Sequence, residues 1–378
     1  MSRLDPAPTA SSGLARIGTT ALRLACGLAT LALATPVAAE AFRPALPGYR
    51  FAFPRDHAAH PDFRTEWWYY TGHLRAADGR AFGYQLTFFR VGTVPGLQLG
   101  AAVSPWRSDG VMLAHFAVSD LQTSRFLTAE RLQRGGVGLA GAQAGAYDVF
   151  LGGWRASLAG SAHRLAAQDG RQQLALTLTP RKPVVIHGQQ GVSRKSDCPT
   201  CSSHYYSLTR LDTQGTLTVA GETLAVTGQS WMDHEFGSNQ MGRLEAGWDW
   251  FSLQLSDGSE LMLYQLRRTD GSPVPQSSGT WVPATGPARH LPLKAFAIQP
   301  TGRWKSPATG GVYPLGWQLR VPEEDLDLTV TPAFEGQEWQ TPGSTGETYW
   351  EGSVKASGTR RGKPLGGEGY VELTGYAR

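Results

Sequence analysis

Thr65-Glu66-Trp67-Trp68-Tyr69-Tyr70-Thr71-Gly72, then Asp78-Gly79, then Phe82-Gly83-Tyr84-Gln85-Leu86-Thr87-Phe88 reads as one β-hairpin. Phe82, Tyr84, Leu86 and Phe88 recur at every second position, the period of a strand. Asp-Gly suits the tight turn between two such runs, because both residues tolerate positive φ. The same signals return along the chain. Leu174-Ala175-Leu176-Thr177-Leu178-Thr179, Trp248-Asp249-Trp250 and Leu326-Asp327-Leu328-Thr329-Val330 alternate, and Asp257-Gly258 and Asp270-Gly271 mark further turns. No heptad persists, and 46 Gly and 24 Pro interrupt nearly every run, which excludes coiled coils and helix bundles. The expected fold class is all-β.

The first hairpin has an echo. Trp68 and Trp248, Tyr70 and Trp250, and Tyr84 and Tyr264 share one offset, with a one-residue slip at the turn. Two aromatic hairpins related this way point to two copies of one domain. Each copy is large enough for an antiparallel barrel of about eight strands, whose interior can hold one small ligand. A boundary near Gly237-Ser238-Asn239 divides the chain into two tandem barrel domains, 40–237 and 238–378.

Residues 1–39 read as a signal peptide. Arg16 and Arg23 precede the apolar run Leu24–Ala34, and Pro36-Val37-Ala38-Ala39 supplies small residues for cleavage near Ala39. The run is too short to span a bilayer. A periplasmic or secreted location is therefore expected. In an oxidising compartment Cys198-Pro199-Thr200-Cys201 is expected to close as a local disulfide. A second C-x-x-C is absent, so zinc lacks its usual ligand spacing. Without the leader, 32 Lys and Arg face 30 Asp and Glu, a balance too even for nucleic acid.

Chemistry-bearing residues fall in a few clusters. Alternation puts Glu66, Trp68 and Tyr70 on one strand face, where indole and phenol rings would desolvate the carboxyl and raise its pKa. Glu66 is thus a candidate general acid, with pairing to Arg90 as the structural alternative. In Ser230-Trp231-Met232-Asp233-His234-Glu235-Phe236, His234 can shuttle protons, with Asp233 or Glu235 fixing its tautomer. A third cluster joins Trp248-Asp249-Trp250-Phe251 to Tyr264, with Asp249 opposite the two indoles. The candidate catalytic set is Asp233, His234, Glu66 and Tyr264. The candidate ligand-contacting rings are Trp68, Tyr70, Tyr206, Trp231, Trp248 and Trp250. His57-x-x-His60 with Asp56 and Asp62 lacks a regular scaffold because of Pro61, so no metal is expected. G-x-S-x-G, H-E-x-x-H and a Walker loop are absent from the sequence, so nucleophile-elbow, zincin and P-loop readings lack a motif.

Phe53-Pro54-Arg55-Asp56-His57, Glu66-Trp67-Trp68-Tyr69, Gly83–Arg90, His115-Phe116-Ala117, Tyr205-Tyr206-Ser207, Trp231–Phe236, Gly247–Trp250 and Tyr349-Trp350-Glu351-Gly352 together resemble the AttH-type family, which includes predicted secreted hydrolases and carotenoid hydratase relatives. The resemblance covers nearly all of the chain after the leader. It implies paired lipocalin-like barrels and apolar polyene or isoprenoid substrates. Carotenoid hydratases add water to a terminal carbon–carbon double bond without a cofactor, and fungal relatives of similar fold catalyse polyene cycloadditions. The expectation is an exported, monomeric, cofactor-free protein that binds an apolar or lipid ligand and hydrates a double bond. The alternative is a non-catalytic lipid carrier serving an envelope transporter.

Overall fold

The strands Thr65–Ala76 and Ala81–Gly92 form the expected hairpin, with Trp68 opposite Phe88 and Tyr70 opposite Leu86. The computed structural model describes residues 41–96, 110–136, 138–170, 172–239 and 245–377; the expected leader lies outside them. Strands dominate, and the helical segments among the described residues are three short 3-10 turns.

All named strand pairs are antiparallel. The first sheet runs in spatial order Arg125–Arg134, Gly110–Asp120, Ala81–Gly92, Thr65–Ala76, Glu222–Asn239, Ser202–Val219, Gln172–Pro180, Ala162–Asp169, Trp154–Ala159, Asp148–Leu151 and Ala140–Ala142. It curls until Gly110–Asp120 and Arg125–Arg134 meet Asp148–Leu151, which makes a nearly closed barrel. The second sheet runs Arg289–Pro292, Ser278–Val282, Glu260–Arg268, Glu245–Leu255, Lys363–Thr374, Thr348–Arg360, Leu326–Pro332, Trp317–Val321 and Ala297–Pro300, and makes a half-barrel. The architecture is two lipocalin-like barrels in tandem. In each, the opening strand lies between the second strand and the last long one.

Burial tells which strands are sandwiched. Gln172–Pro180 and Leu326–Pro332 alternate between buried and solvent-facing positions, so each has one wet face. Thr65–Ala76 is buried on both faces along most of its length. One face packs inside the first barrel, and the other packs against the second sheet through Tyr69, Tyr205, Trp231, Trp250, Met262, Tyr264 and Tyr370.

The sequence echo needs correction by one residue. Trp68, Tyr70 and Tyr84 point into the first barrel, whereas Trp250 and Tyr264 point out of the second sheet toward the first. The inward residues of the second opening strand are Phe251 and Leu253. The spacing between Asp78-Gly79 and Asp257-Gly258 is one residue shorter than that between the aromatic pairs, and the turns give the register that matches the faces. Inside the first barrel Trp68, Tyr70, Leu74, Leu86, Phe88 and Phe116 are each 0% exposed, so side chains pack this part of the interior closely.

Candidate functional site

One strand carries the decisive residues for both chambers. Glu222–Asn239 pairs with Thr65–Ala76, placing Trp68 opposite His234 and Tyr69 opposite Asp233. Strand alternation turns Met232, His234 and Phe236 toward the first barrel and Trp231, Asp233 and Glu235 toward the second sheet. Asp233 and Glu235 therefore do not orient His234, contrary to the sequence expectation.

On the inner face, Glu66 does that work. His234 Nε2 donates to Glu66 Oε1 at 2.8 Å, His60 Nδ1 to the same oxygen at 2.7 Å, and Arg90 Nε to Oε2 at 2.9 Å. His234 Nδ1 meets the Tyr206 hydroxyl at 2.9 Å, and that hydroxyl meets His57 Nδ1 at 2.7 Å. Farther in, His163 Nδ1 lies 2.8 Å from the Tyr70 hydroxyl, which also bonds Tyr147. Burial would push the Glu66 carboxyl upward, but the Arg90 and His60 charges and the imidazole hydrogen bonds outweigh it. Glu66 is held well below the usual carboxylate range, not raised as a neighbouring indole alone would suggest. The reading in which it pairs with Arg90 describes the structure. His60, Glu66 and His234 are the described residues whose donor atoms converge closely enough for a cation, within 4.8 Å of one another. Glu66 is already saturated by donors, including the His60 backbone N–H, so the group stands as a hydrogen-bonded ion cluster.

The outer face has the opposite electrostatics. Asp233 accepts from the Tyr205 hydroxyl at 2.6 Å, from Trp231 Nε1 at 2.6 Å and from the Ser207 hydroxyl. Trp250 Nε1 donates to the Tyr205 hydroxyl at 3.1 Å, closing the ring of aromatics. Burial pushes the Asp233 carboxyl up to about 7; three donors oppose that shift and Glu235 adds to it. From the second sheet, Glu351 accepts from Tyr69 at 2.7 Å and Glu372 accepts from Trp248 Nε1 at 3.1 Å. Burial, with Glu372 beside it, holds Glu351 well above the carboxylate range. Glu372 is pushed up to about 7 by desolvation and by Asp233 and Glu235. Among the described residues the cation in this neighbourhood is Lys195, 2.7 Å from Glu235. Among the described residues four acids face one lysine and cannot all ionise cheaply, so part of the set stays protonated near neutrality.

The candidate residues thus separate. Glu66, Trp68, Tyr70, Tyr206 and His234 share the inner cluster. Asp233, Trp231, Trp248, Trp250 and Tyr264 share the seam between sheets. Glu351, Glu372, Tyr69, Tyr205 and Lys195 join that seam and were not among the candidate catalytic or ligand-contacting residues. The Tyr349-Trp350-Glu351-Gly352 run held the signal, since its alternation sets Glu351 opposite Trp350. Trp350 enters the second core, and Glu351 turns to Tyr69. Asp249 bonds Arg267 at 3.0 Å and Tyr376 at 2.9 Å on the side opposite Trp250. Cys198 and Cys201 are joined by a disulfide. Beside the seam a cleft of about 670 Å³ opens between the 188–202 segment and the second sheet, with Tyr264 and His290 in its wall.

Comparison with known proteins agrees with this architecture. The AttH-like family model matches residues 44–376. An AttH-type protein from Nitrosomonas europaea is 34% identical, with a TM-score of 0.80, covering 89% of this chain and 100% of that one. Kievitone hydratase from Nectria haematococca shares the fold at 17% identity and a TM-score of 0.65, covering 86% and 92%. CghA bound to Sch210972 shares it at 12% identity and a TM-score of 0.52, covering 88% and 95%. No curated protein matches the sequence. With a family model spanning nearly every described residue and the same paired barrels in a protein one-third identical, the chain belongs to the AttH-like family.

Proposed function

We propose that the protein is a cofactor-independent hydratase acting on a carbon–carbon double bond of an apolar chain, with the seam between the sheets as its reaction site. One observation carries this reading: the Asp233 carboxyl is buried among Tyr205, Trp231 and Trp250 with its pKa near neutrality. An acid in that state holds a proton at pH 7 and is strong enough to give it up. In the proposed step Asp233 protonates one alkene carbon. The positive charge left on the other carbon faces indole and phenol rings, whose negative faces stabilise cations. Water adds to that carbon and returns a proton to the Asp233 carboxylate, so the net change is addition of H and OH across the bond. The fold shared with kievitone hydratase is compatible with this chemistry.

The test uses the full chain in D₂O with geranylgeraniol, squalene and lycopene as probes. Carbon-bound deuterium and an added hydroxyl on any of them, lost in Asp233→Asn, are expected. Turnover that survives Asp233→Asn would remove Asp233 from the mechanism. The cleft favours a second reading, a lipid carrier, because its volume suits an organic ligand. A lipid copurifying in native mass spectra, with no deuterium incorporation into any probe, would select it. We also infer export with cleavage near Ala39; the Cys198–Cys201 disulfide supports an oxidising destination.

A further inference from the structure

We propose that the cleft between the 188–202 segment and the second sheet binds the carboxylate end of an apolar-chain acid, with Arg194 as the residue that recognises the head group. Its volume of about 670 Å³ suits a small organic molecule. Leu46, Val192 and Pro292 give it an apolar wall. The polar remainder of the lining contains no aspartate or glutamate, although this chain carries 31 of them. Its charge comes from Arg194, and His290 is kept neutral by burial. The Arg194 guanidinium is exposed and makes no ion pair among the described residues. Its side-chain contact there is a long 3.3 Å donation to the Asp197 carbonyl. The neighbouring Asp197 carboxylate lies outside the lining and accepts from Gln276 at 2.8 Å, so a cationic fork with open donors beside greasy walls is complementary to a carboxylate on a hydrocarbon chain.

The position of the cleft gives this binding a purpose. The Tyr264 hydroxyl lies 2.9 Å from Ser193 Oγ and faces the Arg194 and Gln276 carbonyls. Lys195 Nζ sits over the Tyr264 ring, 4.6 Å from its centroid, and pairs with Glu235. One aromatic ring therefore separates the cleft from the acid cluster of the seam. A head group fixed on Arg194 would hold its chain beside that cluster. This inference deepens the hydratase reading by naming one end of the substrate. Its test is binding alone, so it succeeds or fails independently of turnover by Asp233.

The experiment titrates oleate and oleyl alcohol, below their aggregation limits, into the full chain by calorimetry. Oleate should bind saturably at one site. Arg194→Gln should weaken oleate about tenfold or more, the usual worth of a charge-assisted contact. The same variant should leave oleyl alcohol within about twofold. Because Arg194 is exposed, the variant should keep the wild-type circular dichroism spectrum. Leu46→Glu, at another exposed position, should also weaken oleate by placing a like charge at the cleft. Absence of saturable oleate binding by the wild type would overturn the proposal. So would an Arg194→Gln variant that loses both ligands equally or neither.

Discussion

Glu66 and Asp233 sit on adjacent paired strands, both nearly inaccessible to water, and the protein treats them in opposite ways. Glu66 faces a guanidinium, two imidazoles and a backbone N–H, so it stays charged. Asp233 faces a phenol, an indole and a hydroxyl, with three more acids nearby, so it tends to stay protonated. Burial alone therefore does not make a catalytic acid. The sign of the neighbouring charge decides whether a buried carboxyl is a fixed ion or a proton source.

The largest expected effect breaks the Glu66 side of this contrast. Glu66→Gln leaves Arg90 buried without its counter-ion and should cost about 3–5 kcal/mol in urea unfolding. A loss under about 1 kcal/mol would mean the cluster is not an ion pair in solution. Next, Asp233→Asn should leave stability nearly intact and reduce the proposed hydratase turnover about a hundredfold or more, the worth of a general acid.

Third comes pH. Asp233 has a folded pKa near 7, above its ordinary value of 3.8, so the folded state holds that proton more tightly. Its stabilising contribution is fully present below about pH 4 and is lost as pH rises through 7. Unfolding free energy should fall between pH 5 and 8 by something on the order of 2 kcal/mol, and Asp233→Asn should flatten the slope. Glu66 runs the other way: its contribution is present above the ordinary glutamate value and is lost only in strong acid. The smallest effect sharpens the comparison. Tyr205→Phe removes one donor from the Asp233 carboxylate and should move its titration upward, read by carboxyl infrared or carbon-13 NMR.

Much of the fold was legible because strand period and turn chemistry are local. Phe82, Tyr84, Leu86 and Phe88 announced an inward face, and all four are buried there. Alternation also assigned Asp249 and Trp250 to opposite sides. The same rule, applied to Asp233 and His234, would have separated them; treating the run as one cluster ignored it. The partnership of Glu66 with His234 was not legible, since a contact between residues so distant in sequence depends on which strands pair. Nor was the raised pKa of Glu351, which needs the second sheet to be stacked on the first.

The Glu222–Asn239 strand has one further consequence. A slip of one residue during assembly would thrust Asp233 toward anionic Glu66 and leave His234 among the acids of the seam. Hydrophobic patterning alone would penalise that error weakly here, because both faces of the strand are buried. Charge placement supplies the missing discrimination, so the residues that divide the labour of the two chambers also proofread the alignment of the wall between them.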